Sequence, residues 1–474
     1  MLKNTLLTRV FSSGLQIIAV QILGSVFFYI ISVYLSKENF GLINWMNAVC
    51  FFLIAFLGCG LEQVVVRRIA ASKRSDWAAS AFFVHAVAGF LITFSFLFTL
   101  RFFSKDNVEA VRFLPWFFAA QGLIYTGIPL KQFLNAKERF TPYGVIAVIS
   151  NLSKIVAVCL LVQKHQLYID TVIIVLLCTS FFEFCCLLTY VITQTSFNFR
   201  ARFKAYLLLI KEATAQYLSV IFDMSLSRMD WLLLGLLTTN VILADYSFAY
   251  RAYELARLPM LIIAPVILPR LSRLMVSNNN PSPVQKDLIS SFNTVEMFFG
   301  VLIPLTLNIL WAPVISLITK GKYGSANSLE FLILSLCIPL QFFINLLWSL
   351  CFAAKKYRKV STITFIAAIT NIVLNLSLIS IFKGLGAAIA FLITNILQAF
   401  LYYALVQKEI MPIFLRPAII FVTTATIIYF IAIHLKFNFF AQAAAAIVLY
   451  ILAAILSKQI SKRHISDFKH FLSG

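Results

Sequence analysis

A small set of charged side chains stands in otherwise apolar sequence: Lys154, Glu183, Asp223, Arg228, Asp230, Arg251, Glu254 and Arg257. On insertion scales, a charge at the centre of a bilayer costs about 2.5–3.5 kcal/mol. Such residues persist where they face a partner or a water-filled cavity. The cations are Lys154, Arg228, Arg251 and Arg257. The carboxylates Glu183, Asp223, Asp230 and Glu254 can neutralise those cations or exchange protons. On a helix, Gln216, Asp223, Ser227 and Asp230 share one stripe, with Arg228 directed elsewhere. Arg251, Glu254 and Arg257 follow at spacing three, so each can pair with the next. Lys154 carries Ser150 and Asn151 on its face, and Glu183 in the following apolar run is its natural acidic partner. Two readings stand side by side for all of them: structural charge pairs, some in the headgroup layer, or the lining of a hydrated cavity.

Uncharged polar steps occur on other apolar runs. Asn44 and Asn47, Asn371 and Asn375, and Asn395 and Gln398 suit interhelical hydrogen bonds, with sugar contact as the alternative. His85 reads as a packed, hydrogen-bonded residue. Glu62 is expected to meet Arg67 or solvent, and Glu296 is a titratable group early in its run. No Walker, Rossmann or HExxH pattern is present. The eight cysteines lie in or beside apolar runs without a CxxC pair or Cys/His ligand spacing, so they read as small apolar residues. No metal and no cofactor are expected.

These residues must be positioned by elements that live in lipid. The chain of 474 residues is 61% hydrophobic and only 12% charged, with 47 Phe. A soluble domain is roughly half apolar and about a quarter charged. The formal net charge of +21 does not imply nucleic acid, because the basic residues fall in short clusters between apolar runs. Apolar runs long enough to cross a bilayer lie near 13–35, 42–61, 78–100, 113–134, 143–163, 168–193, 207–236, 246–270, 288–318, 328–353, 360–382, 384–407, 413–434 and 437–457. The first run is long and lacks a clear cleavage site, so it reads as a retained span. With the N-terminus inside, 26 Lys and Arg fall in inner segments and 9 in outer ones, out of 39 in all. That bias follows the positive-inside rule and places both termini in the cytoplasm. The segment SNNNPSP, 277–283, reads as a flexible linker.

Two weak correspondences mark an internal duplication. VYLSKENFGLINWMNA (33–48) lies over GLLTTNVILADYSFAYRAYE (235–254), and NAKERFTPYGVIAVISN (135–151) over AAKKYRKVSTITFIAAITN (353–371). The repeat is about six spans. An even number gives both halves the same orientation, a parallel repeat about an axis along the membrane normal. The expected architecture is therefore an all-α polytopic membrane protein of about 14 transmembrane helices. It comprises a six-helix bundle in 1–200, a second in 201–410, and two extra helices with a basic cytoplasmic tail in 411–474.

The pieces LSKENFGLINWMNA (35–48), RMDWLLLG (228–235), ADYSFAYRAYELA (244–256) and KGLGAAIAFLITN (383–395), in this order, resemble the polysaccharide-synthesis flippases of the MOP superfamily, the Wzx or O-antigen type. The resemblance extends over essentially the whole chain. It implies two six-helix bundles forming a V around a central cavity. It implies alternating access that moves an undecaprenyl-diphosphate-linked oligosaccharide from the cytoplasmic to the periplasmic leaflet of the bacterial inner membrane. Antiport against a proton or sodium ion is implied too, with membrane lipids, a polysaccharide polymerase and a chain-length regulator as further partners. The family commonly has twelve spans and sometimes fourteen. On this reading Lys154, Arg228, Arg251 and Arg257 line the path, with Asn151, Gln216, Asn371 and Asn375 as polar cavity candidates.

Two other functions compete. A multidrug or cation antiporter of the same superfamily would want an acidic or aromatic cavity, which the membrane cations disfavour. A membrane-embedded polymerase or transferase would want a sizeable extramembrane loop or an acidic catalytic motif at a membrane face, and neither is evident. A transporter, not an enzyme, is the expectation.

Overall fold

Inside a bilayer every peptide N–H and C=O must find a partner within its own segment or a closed barrel, so long apolar runs fold as helices. The computed structural model describes residues 2–71, 76–103, 109–195, 197–200, 202–276, 282–435 and 437–473, and all regular structure among them is helical. In order these are α1 (Leu2–Tyr34), α2 (Lys37–Gly58), α3 (Leu61–Ala71), α4 (Asp76–Phe103), α5 (Glu109–Ala136), α6 (Phe140–Gln163), α7 (Ile169–Gln194), α8 (Phe203–Leu237), α9 (Asn240–Ala256), α10 (Leu258–Val276) and α11 (Pro283–Leu310). A π-helical turn, Trp311–Ile315, and the short α12 (Ser316–Ile318) extend α11. Then come α13 (Ser328–Ala353), α14 (Tyr357–Glu409), α15 (Arg416–His434), α16 (Phe439–Leu456) and α17 (Lys462–Ser473). Lys73, Arg74, Lys105, Lys436 and residues 277–281 of the linker lie outside the described residues.

Among the described residues, ten helical stretches are long and apolar enough to cross a membrane. One of them, the 53-residue α14, turns at Lys383, whose φ of 55° separates the expected runs 360–382 and 384–407. The chain is thus an all-α polytopic membrane protein, and the fourteen expected runs fall on its helices, with 42–61 reaching across the α2–α3 turn and 288–318 running from α11 through the π-helical turn into α12. A further run is divided. The stretch 246–270 is not one helix but two, α9 and α10, broken at Arg257. Pro259 stands just beyond the break, where its missing N–H and fixed φ suit the first turn of a new helix.

The chain forms two compact units, Met1–Ala244 and Asp245–Gly474. In the first, α1 packs on α6, α5 on α4 and α7, and α8 on α2 and α3. Packing therefore places α8 with the first unit, whereas the repeat-based division opens the second half at 201. The core gathers Leu61, Val65, Phe82, Phe133, Leu134 and Leu209. In the second unit, α13 packs on α14, and α11 packs on α13, α15, α16 and α17. Phe292, Leu346, Leu347, Leu350, Tyr402 and Tyr450 form its centre. The basic tail folds as α17 against α11: Phe468 and Phe471 lie 5.3 and 4.7 Å from the Phe292 ring. Ser291 donates to Asp467 at 3.0 Å.

The α2–α3 junction shows how local sequence sets a helix crossing. Ser36 caps α2 by accepting from the Asn39 N–H at 3.2 Å. At the other end Cys59 and Gly60 take φ of 47° and 67°, which stops the helix. A Cβ on Gly60 would meet the backbone nitrogen of Tyr217 in α8 at 2.5 Å. Gly60→Ala should therefore cost about 2 kcal/mol, combining left-handed backbone strain with overpacking. Thermal unfolding of detergent-purified protein checks this; an unchanged Tm would mean that α8 yields freely at this crossing.

Candidate functional site

In the first unit the buried charge of α7 decides the arrangement. Glu183 is 6% exposed. Its Oε1 accepts from Lys131 Nζ at 2.7 Å. Lys131 sits near the end of α5, and the apolar helix around it holds it against α7. Lys154, on α6, stands within electrostatic reach of the same acid. Its ammonium contacts Asn151 Oδ1 at 3.5 Å. Asn151 donates back to the Ala147 carbonyl at 2.8 Å. Ser150 is buried between α6 and α7 and contacts the Thr179 carbonyl at 3.4 Å. The expected Lys154–Glu183 neighbourhood is therefore present, with Lys131 as the direct ion-pair partner.

At the next position of α5, Gln132 donates to Glu62 at 2.8 Å, and Asn135 donates to Gln132 at 2.9 Å. Glu62, expected to meet Arg67 or solvent, thus meets Gln132. Arg67 instead reaches Glu212 of α8 at 3.2 Å, and Arg68 binds the same carboxylate. His85 is packed as expected, between the Tyr206 hydroxyl at 2.9 Å and the Leu57 carbonyl at 2.6 Å.

The charges of α8 separate. Arg228 leaves the stripe, as its spacing predicts, and lies over the Trp231 ring at 4.7 Å and over Phe51 of α2 at 5.7 Å. Such contacts hold a guanidinium without neutralising it. Asp230 is 2% exposed, and its Oδ1 accepts from the Trp231 N–H at 2.8 Å. Gln216 is half-buried and Asp223 exposed.

In the second unit Arg251 and Glu254 form an ion pair at 2.9 Å, one turn apart on α9. Arg257, at the helix break, donates to the Tyr253 hydroxyl and to Gln341 Oε1, each at 3.1 Å. Its guanidinium also lies 4.7 Å from the Tyr253 ring centre. Gln341 of α13 in turn donates to Asn395 of α14. The contacts seen for Arg257 are thus with neutral groups, not the serial pairing with Glu254 that spacing three allows. Asn371 and Asn375 are buried: Asn375 donates to the Asn371 carbonyl and Oδ1 at 2.9 and 3.0 Å within the first arm of α14, and its own Oδ1 has no hydrogen-bond partner. Asn371 reaches Thr394 of the second arm at 3.4 Å, which is the interhelical hydrogen bond seen for this pair.

Sequence reasoning missed Lys131, Gln132 and Gln341. Lys131 lies near the end of an apolar run, where its charge reads as one of the inner-segment cations. Its position four residues before Asn135 and one before Gln132, still inside the helical register of α5, was the available signal. All eight cysteines are free thiols.

The model of the polysaccharide biosynthesis protein family matches residues 6–275. Among solved structures, the chain is similar to a lipid II flippase, MurJ, in an inward closed conformation. The TM-score is 0.76 at 16% identity, over 94% of this chain and 98% of that one. An inward-facing multidrug resistance MATE family transporter of the MOP superfamily gives 0.67 at 13% identity, over 82% of this chain and 95% of the other. A MOP superfamily transporter from Pyrococcus furiosus gives 0.60 at 12% identity, over 84% and 94%. At these identities the likeness is one of fold. No curated protein matches the chain.

Proposed function

Because the chain belongs to the polysaccharide biosynthesis protein family, we propose that it is a flippase for an undecaprenyl-diphosphate-linked oligosaccharide, an O-antigen or related repeat unit. It carries the head group from the cytoplasmic to the periplasmic leaflet by alternating access. The observation that carries this reading is the polar machinery inside each apolar unit: Lys131, Lys154 and Glu183 in the first, Arg251, Glu254 and Arg257 in the second.

The chemistry follows from the pairing. With no substrate, Glu183 and Glu254 neutralise their cations at low cost. An arriving diphosphate offers the same cations a stronger, multidentate anion, so they exchange partners. Arg228, stacked on the Trp231 and Phe51 rings, is a further cation for the same group. Carboxamides such as Asn151 and Gln216 supply neutral hydrogen bonds for sugar hydroxyls. The lipid tail stays in the bilayer while the head group crosses. Energy comes from an ion gradient or from the membrane potential, and the carboxylates released from their cations are the groups that can take up a proton. The protein sits in a bacterial inner membrane with both termini cytoplasmic, alongside a polysaccharide polymerase and a chain-length regulator.

Deleting the gene should abolish a surface polysaccharide and leave its lipid-linked unit in the inner leaflet. Lys154→Ala and Arg251→Ala should each remove export while the protein still inserts, measured by surface polysaccharide staining and membrane immunoblot. Unchanged polysaccharide with heightened drug sensitivity in the deletion strain would overturn the flippase reading in favour of a drug antiporter. Normal export in both point variants would remove these cations from the path.

A further inference from the structure

One acid of the second unit has no part in the pairs described above. Glu296 lies midway along α11, and it and Asn293, one turn earlier on the same face, are each 3% exposed. Neither carboxylate oxygen of Glu296 has a hydrogen-bond partner, nor has Oδ1 of Asn293. Asn345 of α13 stands beside Glu296, and its buried Nδ2 also lacks a partner. The two helices are close here: a Cβ on Gly300, one turn beyond Glu296, would lie 3.4 Å from Pro339 Cα of α13. Farther along the same seam, Asn308 donates to Ser335 at 2.7 Å, which is the satisfied pairing expected of buried polar groups.

An ionised carboxylate buried without a counter-charge is among the most expensive arrangements in a protein. No cation compensates it among the described residues of the packed elements. On α13 the charged residue is Glu330, in the first turn. On α15 the titratable groups are Arg416 and His434 at the two ends and Tyr429. On α16 there is Tyr450, whose hydroxyl donates to the Phe298 carbonyl at 3.2 Å. On α17, Asp467 is engaged by Ser291 and Arg463, and Arg463 also by Asp287 at the start of α11; Lys462 and His464 lie at the same exposed end. Cys337 and Cys351 of α13 are buried neutral thiols.

A single proton removes the uncompensated charge and supplies the donor that Asn293 Oδ1 lacks. As a carboxylic acid, Glu296 has an O–H to offer an acceptor such as Asn293 Oδ1 and a carbonyl oxygen to offer a donor such as Asn345 Nδ2. We propose that Asn293, Glu296 and Asn345 form a buried proton-binding site in the second unit, loaded when the α11–α13 seam is closed and dry. Release passes the proton to water and leaves a carboxylate that favours a hydrated, opened seam. The site thus ties one proton to a change in packing between α11 and α13. Its use as the coupling step rests on the flippase reading; its existence does not.

Difference infrared spectroscopy of the purified full-length protein tests it directly. An alkaline pH jump should remove a carboxylic-acid carbonyl band in the wild type. Glu296→Gln should lack that band, with a monodisperse size-exclusion profile as the folding control. Asn345→Leu keeps the acid but removes one hydrogen bond, so its band should persist at a shifted frequency. Identical pH-difference spectra for the wild type and Glu296→Gln would overturn the proposal. Loss of the band on adding Na+ at constant pH would overturn it in favour of a metal ion. These readouts do not involve export. If gene deletion leaves the polysaccharide intact while the band behaves as stated, only the flippase reading fails. If deletion abolishes export while the band is absent, only the proton site fails.

Discussion

Glu183→Leu should lower the stability of the protein by about 3–5 kcal/mol, the cost of stranding a buried charge by removing its partner. The expectation rests on one carboxylate serving two cations. Lys131 binds it at 2.7 Å, and Lys154 feels it from α6. The side chains of Lys131 and Glu183 are only 22% and 8% exposed, so water screens the pair weakly. Removing the acid leaves two ammonium groups facing each other in apolar surroundings. Lys131→Met alone should cost less, because Glu183 retains Lys154. The double variant Lys131→Met/Glu183→Leu should recover part of the loss, as exchange of a buried pair for apolar side chains often does. Thermal unfolding of the three purified variants measures this. A Glu183→Leu protein as stable as the wild type would show that the cations find water or another anion.

Arg257→Met should have a comparable effect through another mechanism, about 3–4 kcal/mol. The methionine keeps much of the volume but removes a guanidinium that donates to Tyr253 and Gln341, each at 3.1 Å. Hydrogen bonds from a charged donor contribute about 1.5–3 kcal/mol each. Losing the Gln341 contact also unsettles the step from Gln341 to Asn395 that joins α13 to α14. Arg257→Lys retains the charge but presents no planar fork, so it should restore only part of the stability. Limited proteolysis at the α9–α10 break, read beside the Tm, separates local loosening from global loss. Wild-type resistance and Tm in Arg257→Met would mean that the break is held by the proline-bearing turn and not by the arginine.

The outline of the molecule was legible residue by residue. Hydropathy places fourteen runs, and they fall on helices, with 246–270 divided into α9 and α10. His85 and the Asn371–Asn375 pair are packed hydrogen-bonding groups. The two arms of α14 were visible as separate runs, although the turn at Lys383 is too tight to interrupt the helix for long. Pro259, Pro265 and Pro269 mark an interruption of the run 246–270, and the structure sets the break at Arg257, just before the first of them.

Pairing was the less legible layer. Lys154 pointed to Glu183, yet Lys131 holds that acid most directly. Glu62 looked close to Arg67 in sequence, and in space it meets Gln132 while Arg67 and Arg68 turn to Glu212. Glu296 stood out as titratable, but its isolation depends on the amides and apolar groups that α11 and α13 bring to it. The physical reason is the same each time. Transfer of a side chain into lipid is nearly additive along the chain, so composition and period by themselves determine that this protein is a bundle of membrane helices with charges inside. Which charge meets which depends on helix rotation, crossing and close approach at points such as Gly60 and Gly300, and those are decided only when the helices pack.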